Sequence, residues 1–340
     1  MATEATYRRC MVRLRRVSAS MDGWSRVRHG RGFRYLDQDG APLQEIDVER
    51  CKQLVIPPAW TKVWICPVHN GHLQAVGTDD AGRRQYLYHP AWRERRDAEK
   101  FVHMEGFAAA LLDVRDRARD EVTDEPTLRS VSALAFGLLD LGIFRVGSDR
   151  YADENGSYGL TTIEKQHVRR DGDNLVFAYV AKSGQDLEVS LRDERLISAL
   201  EPLRRRRTGG DVLLAFRGHD GWSALGASAV NEYVKEMLGE EFSAKDFRTW
   251  RGTVIAAATL SSSDASTKTA RKKSVAAAMR EVSEHLGNTP AVARSSYVDP
   301  RVVDLFDDGV VVAGGHRPVA PGEPVSRTLE KQVLELLGKG

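Results

Sequence analysis

The chain has 340 residues, 41% of them apolar and 29% charged, and carries a formal net charge of +2. That length is enough for two domains with separate cores, and the composition is ordinary for a soluble globular protein. No apolar run approaches the ~20 residues of a membrane span and the N-terminus lacks the apolar stretch of a secretory signal, so a membrane role is excluded and the cytoplasm is the expected compartment. Cys10, Cys51 and Cys66 form no disulfide framework, which fits a reducing compartment. The small net charge hides a skew. Residues 1–36 hold nine arginines against Glu4 and Asp22, and the whole chain has 38 Arg to 12 Lys. Genomic base composition accounts for Arg enrichment in general but less well for clustering at one end. Arg forks suit phosphate better than Lys ammonium groups, so a polyanionic partner is expected.

In chain order, the first ~90 residues read as short strands broken by turns. Gly32–Leu36 precedes Asp39-Gly40, Val63-Trp64-Ile65 precedes Asn70-Gly71, and Leu73–Val76 follows. Asn-Gly and Asp-Gly pairs favour hairpins, and Pro57-Pro58 stops any regular element. From Phe101 the period becomes helical, with one helix to Glu121 and a second over Leu128–Leu141. A domain boundary therefore falls near residues 90–103. His167–Arg170, Leu175–Ala181 and Leu187–Leu191 read as a three-stranded meander with Lys182 at a hairpin tip. Helices follow at Arg192–Arg207, Ala224–Leu238, Thr253–Leu260 and Val275–Leu286, the last with Ser274 as N-cap and Gly287 as its stop. After Val312 a Gly/Pro-rich linker leads to a short amphipathic helix carrying Leu329, Val333, Leu336 and Leu337.

Several side chains invite chemistry. Cys66-x-x-His69-x-x-His72 has the look of a zinc site but lacks a fourth ligand at suitable spacing, and Asn70-Gly71 marks a turn there instead, so no metal is expected. The loops that would bind a nucleoside triphosphate or a dinucleotide are missing, so no cofactor is expected either. A different set stands out: Phe144-Arg145-Val146-Gly147, Lys182, Lys245-Asp246-Phe247-Arg248, Asn288-Thr289-Pro290 and Ser296-Tyr297. A phenol attacking a phosphodiester needs such parts. Two Arg forks can hold the non-bridging oxygens that gather charge in the transition state, and a Lys can give the leaving alkoxide its proton. The product is a covalent phosphotyrosine. The bland alternative for Arg145 and Arg248, each set among apolar neighbours, is a structural ion pair near the edge of a core.

Taken in order and spacing, these motifs resemble the type IB DNA topoisomerases, specifically the short bacterial and poxvirus branch. In the N-terminal part the resemblance extends to Ile56-Pro57-Pro58-Ala59-Trp60, Gly71-His72-Leu73-Gln74-Ala75 and Arg84-Gln85-Tyr86-Leu87-Tyr88-His89. It implies an α+β protein with a small β-rich N-terminal DNA-clamp domain (1–95), a larger, mainly helical catalytic domain with a small sheet (96–315) and a C-terminal linker and helix (316–340). It implies Tyr297 as nucleophile, Arg145 and Arg248 as transition-state arginines, Lys182 as general acid, and Asn288 where better-known members have His. It also implies DNA contacts from Gln85, Tyr86, Tyr88 and Tyr151. The expected activity is relaxation of supercoiled double-stranded DNA by a monomeric, nucleoid-associated clamp that uses no ATP and requires no metal. Tyrosine site-specific recombinases share the catalytic chemistry and are the alternative. They usually carry His-x-x-Arg around the second arginine and a helical N-terminal domain, where this chain has Lys245-Asp246-Phe247-Arg248 and β-type segments.

Overall fold

The computed structural model describes residues 13–147, 156–182, 184–316 and 319–339. The chain divides into two compact units, Met1–Phe101 and Val102–Gly340.

The first unit is built on an antiparallel sheet in the order β2-β1-β3-β4-β5. Its strands are β1 (Trp24–His29), β2 (Gly32–Leu36), β3 (Thr61–Ile65), β4 (Leu73–Thr78) and β5 (Arg84–Tyr88). Strand alternation puts Trp24, Tyr35, Val63, Ile65 and Ala75 on one core with Cys51 and Ile56. Cys51 comes from α1 (Glu45–Gln53), a helix the sequence reading missed because Cys51 is its one buried residue and no apolar stripe announces it. The Pro57-Pro58 loop is tied down by Arg26, which is buried and donates to the carbonyls of Ile56 and Pro57 at 2.8 Å and of Trp60 at 2.9 Å. One of the nine N-terminal arginines is thus part of the core and unavailable to a phosphate. The Gly71–Ala75 motif is also accounted for locally. Gln74 Nε2 donates to the carbonyls of His69 (3.0 Å) and Gly71 (2.7 Å), and His72 Nδ1 accepts from the Val17 N–H at 3.2 Å.

The helix α2 (Pro90–Asp120) runs across the division between the units. It starts 11 residues before the expected Phe101, because Pro90 suits a first helical position and His89 Nδ1 accepts from the Ala91 N–H at 3.1 Å. Its first turns are too charged to display apolar periodicity.

The second unit is mainly helical, as the α+β reading required. After α3 (Leu128–Asp140) comes the meander β6 (Val168–Asp171), β7 (Asn174–Ala181) and β8 (Gln185–Leu191), ordered β6-β7-β8. The helices α4 (Glu194–Arg205), α5 (Ala227–Leu238), α6 (Ala244–Ser261), α7 (Lys268–Leu286), α8 (Pro290–Ser296), α9 (Pro300–Asp307) and α10 (Arg327–Leu337) follow. A hairpin, β9 (Ala215–Gly218) and β10 (Gly221–Ala224), occupies a stretch without strand signals and ends where a helix was expected to begin.

Two helix starts in this unit differ from expectation by more than a turn. Arg248 lies inside α6, which opens at Ala244 under a Ser243/Asp246 capping box, nine residues before the expected Thr253. α7 opens at Lys268, capped by Thr267, and the expected cap Ser274 instead sits within the helix and donates Oγ–H to the Asp264 carbonyl at 2.8 Å. In the core, Phe247 of α6 meets Phe107 and Phe136 edge-on at 5.0 Å, and Phe144 meets Phe177 of β7 at 5.0 Å. That second contact locks the segment carrying Arg145 against the strand that leads to Lys182.

Candidate active site

The two candidate arginines are fixed by backbone carbonyls. Arg248, in the second turn of α6, is 3% exposed. Its Nη1 donates to Ile143 O at 2.6 Å and Gly142 O at 3.2 Å, and its Nη2 donates to Leu286 O at 2.5 Å. Arg145 Nη2 donates to the next carbonyl, Gly287 O, at 3.0 Å. Both guanidiniums therefore converge on the C-terminal end of α7, where the helix dipole favours cations. Gly287 ends that helix in the left-handed conformation, with φ 57°. Burial, and then the neighbouring Arg145, push the Arg248 guanidinium down to about 10, so it remains charged at neutral pH. Its Nε–H is buried and has no hydrogen-bond partner among the described residues.

Gly147 of the Arg145 motif is required by a close backbone approach. Its φ is +93°, and a Cβ on the facing Gly159 would fall 2.4 Å from Gly147 Cα. The strand-like pairing Leu160 N–H to Arg145 O (2.7 Å) and Thr161 N–H to Val146 O (2.9 Å) fixes the register of that approach.

Lys182 is exposed, one residue past β7, in the turn closed by the Gly184 N–H to Ala181 O bond at 3.2 Å. Tyr297 is the cap residue at the end of α8. Its N–H donates to Ala293 O at 3.0 Å and its carbonyl accepts from Thr253 Oγ1 at 3.3 Å. The Arg248 guanidinium carbon lies 5.2 Å from the Tyr297 ring centroid, within cation–π range.

Arg145, Lys182, Arg248 and Tyr297 line one cleft of about 340 Å³. Tyr158 and Lys245 line it too, and neither had been singled out as a site residue. Lys245 carried no legible signal, because its place in the first turn of α6, where an exposed cation opposes the dipole unless an anion approaches, emerges only once the helix is seen to open at Ala244. Tyr158 had none either; its ring is held by His167 at 4.3 Å between centroids. The phenol of Tyr179, which the two arginines also influence, is buried, and burial pushes it up to about 12.

Asn288 does not line the cleft. It follows Gly287, the carbonyl partner of Arg145, and its own N–H donates to Ser283 O at 3.0 Å. Both polar atoms of its side-chain amide are buried and have no hydrogen-bond partner among the described residues. Leaving a buried donor and acceptor unpaired costs about 1–3 kcal/mol for each group. His285, one turn earlier, points into the core. It is 2% exposed, and burial followed by Arg251 pushes it down to about 3.

In the first unit, Tyr86 and Tyr88 stack on one face of the edge strand β5, with centroids 6.2 Å apart and planes at 16°. Gln85 points to the other face and donates to Asp79 Oδ2 at 2.8 Å. Tyr151 lies outside the described residues.

Residues 89–305 match the family described as eukaryotic DNA topoisomerase I, catalytic core, and residues 32–79 match the bacterial DNA topoisomerase IB N-terminal domain. The chain is 29% identical over 330 residues to the DNA topoisomerase 1B of Acanthamoeba polyphaga mimivirus, covering 94% of this chain and 98% of the viral one. It is 23% identical over 237 residues to the vaccinia virus DNA topoisomerase 1B, covering 68% and 72%.

Proposed function

Because the chain belongs to the type IB DNA topoisomerases, we propose that Tyr297 is its nucleophile, Arg145 and Arg248 its transition-state clamp, and Lys182 its general acid. As a type IB enzyme it relaxes supercoiled DNA by transient single-strand cleavage through a 3′-phosphotyrosyl intermediate, strand rotation and religation. In the cleavage step the Tyr297 oxygen bonds to phosphorus, the bond to the 5′-oxygen breaks, Lys182 supplies the proton that this oxygen takes up, and the phenol proton passes to solvent. Arg145 and Arg248 neutralise the two non-bridging oxygens, and Asn288 donates to one of them only after its amide turns from its buried place outside the cleft toward the bound phosphate. Religation is the reverse, so the bond energy is kept and no nucleotide is consumed. The single observation that carries this reading is the cleft shared by Arg145, Lys182, Arg248 and Tyr297, drawn from four separate segments.

The same reading makes the first unit a DNA-clamp domain, with Gln85, Tyr86, Tyr88 and Tyr151 touching the duplex. It makes the protein a monomer, a bacterial family member and a resident of the nucleoid. Sequence-independent affinity would come from phosphate contacts and fall with salt.

The test is relaxation of a supercoiled plasmid in chelator without nucleotide, followed by mass-spectrometric mapping of the trapped covalent adduct. Relaxation with the adduct on Tyr297, and neither with Tyr297→Phe, is expected. An adduct on Tyr158, or one persisting in Tyr297→Phe, would overturn the assignment. Activity only on paired specific sites would point to recombinase chemistry.

A further inference from the structure

The C-terminal segment docks on α6 through polar as well as apolar groups. Trp250 and Arg251, two and three residues beyond Arg248, both end on it. Trp250 Nε1 donates to Glu330 Oε1 at 3.0 Å, and Arg251 donates to the Glu323 carbonyl. Glu330 is 3% exposed, although it lies on a short helix near the end of the chain. Its carboxylate accepts two further bonds from Arg115, at 2.5 and 2.9 Å, and Arg115 forks in turn onto Asp140 at 2.7 and 3.0 Å.

Asp140 is the last residue of α3, and the chain turns two residues later, at Gly142, toward Arg145. The Arg251 stem fills the space beside that turn. A Cβ on Gly142, whose φ is +74°, would fall 2.3 Å from Arg251 Cγ. The Gly142 carbonyl is itself one of the acceptors that hold Arg248. Arg115 is thus ion-paired to both Asp140, which is partly exposed, and the buried Glu330, and the same two carboxylates act on the buried charge of Arg251 through space. Burial works against the charge on Arg115, yet Asp140 and Glu330 hold it above its ordinary value, whereas burial pushes Arg251 down to about 10. Removing one carboxylate from such a set leaves a buried charge uncompensated, a cost that neighbouring backbone relieves by moving.

We propose that Glu330 is a positioning residue for strand cleavage, acting through Arg115 and Trp250 on the α3 turn and on the face of α6. It rests on the reading of Arg145 and Arg248 given above. Through these contacts the C-terminal helix sets the separation and orientation of two guanidiniums that it never touches. Apolar burial of Leu329, Val333, Leu336 and Leu337 explains why the helix docks, but not why a carboxylate is buried with them.

The test uses the full chain with Glu330→Gln, which keeps the shape and an acceptor for Trp250 but removes the charge, and with Trp250→Phe, which removes the other bond. Single-turnover cleavage of a duplex, duplex affinity and thermal midpoint are measured for each, in the native and in the Arg248→Lys backgrounds. Glu330→Gln is expected to cleave about tenfold or more slowly at saturating DNA, because small displacements of reacting groups are costly. Duplex affinity should stay within about threefold, and the rate penalty should largely vanish in Arg248→Lys, the non-additivity of groups that act together. Trp250→Phe should move in the same direction, and it decides the matter if Glu330→Gln does not fold. Cleavage at the native rate with only a lowered thermal midpoint would overturn the proposal, as would a penalty of the same size in both backgrounds. A native cleavage rate for Arg248→Lys alone would instead overturn the reading of Arg248.

Discussion

Gly252 and Tyr297 touch so closely that any side chain at position 252 would have to displace Tyr297. A Cβ there would lie 2.8 Å from the Tyr297 carbonyl oxygen and 3.1 Å from its Cβ. Gly252 lies one helical turn beyond Arg248 on α6, so a single helix places the candidate clamp and makes room for the candidate nucleophile. Alanine is otherwise the better helix former by about 1 kcal/mol. Gly252→Ala should therefore fold, yet cleave about 10²-fold more slowly because Tyr297 is displaced. A single-turnover rate equal to that of the native chain would show that the contact is slack.

Lys182 should matter for the leaving group and for little else. An alkoxide needs a proton to depart, whereas a thiolate does not. Lys182→Ala should cleave ordinary DNA slowly and recover most of its rate on a substrate with sulfur at the bridging 5′ position. Equal defects on the two substrates would assign Lys182 to another task.

Arg248 holds three carbonyls at once, on two segments that are distant in sequence. Lysine cannot span them and lacks the planar fork. Arg248→Lys should slow cleavage by roughly 10²–10³-fold and leave duplex affinity nearly unchanged. The carbonyls left without donors should also lower stability by about 1–3 kcal/mol, read as a shifted denaturant midpoint. A rate within a few-fold of native would remove Arg248 from the transition state.

Asn288 and His285 should separate cleanly. Asn288→Ala should slow cleavage with little loss of stability, since neither polar atom of its amide has a hydrogen-bond partner among the described residues. His285 should affect stability instead. Its folded value of about 3 lies below the usual ~6.5, so the unfolded chain binds the extra proton between those values, and stability falls as pH drops through that window. Going from pH 7 to pH 5, His285→Gln should lose about 2 kcal/mol less than the native chain, as measured by denaturant unfolding. Above pH 7 the two pH slopes should agree. A cleavage step near pH 6.5 that disappears in His285→Gln would contradict the buried placement.

By itself the sequence determined the β-rich first part, the helical second part and the meander, because alternation and helical periodicity are properties of neighbouring residues. It also placed Arg145, Lys182, Arg248 and Tyr297 in order, since each sits in a short motif of distinctive composition. The tertiary structure decided what those motifs do to one another. α6 begins at Ala244 although Thr249, Gly252 and Thr253 are poor helix formers, because a cap starts it and burial on nearly every side outweighs propensity. The Gly252 contact joins residues 45 apart in the chain and the Glu330–Arg115 pair residues 215 apart. The buried placement of Arg26 and His285, which look like ordinary polar residues in their local context, likewise emerges only on folding. Local composition carries no record of such pairings, because their energy is desolvation and steric fit between segments that the chain brings together only when it folds.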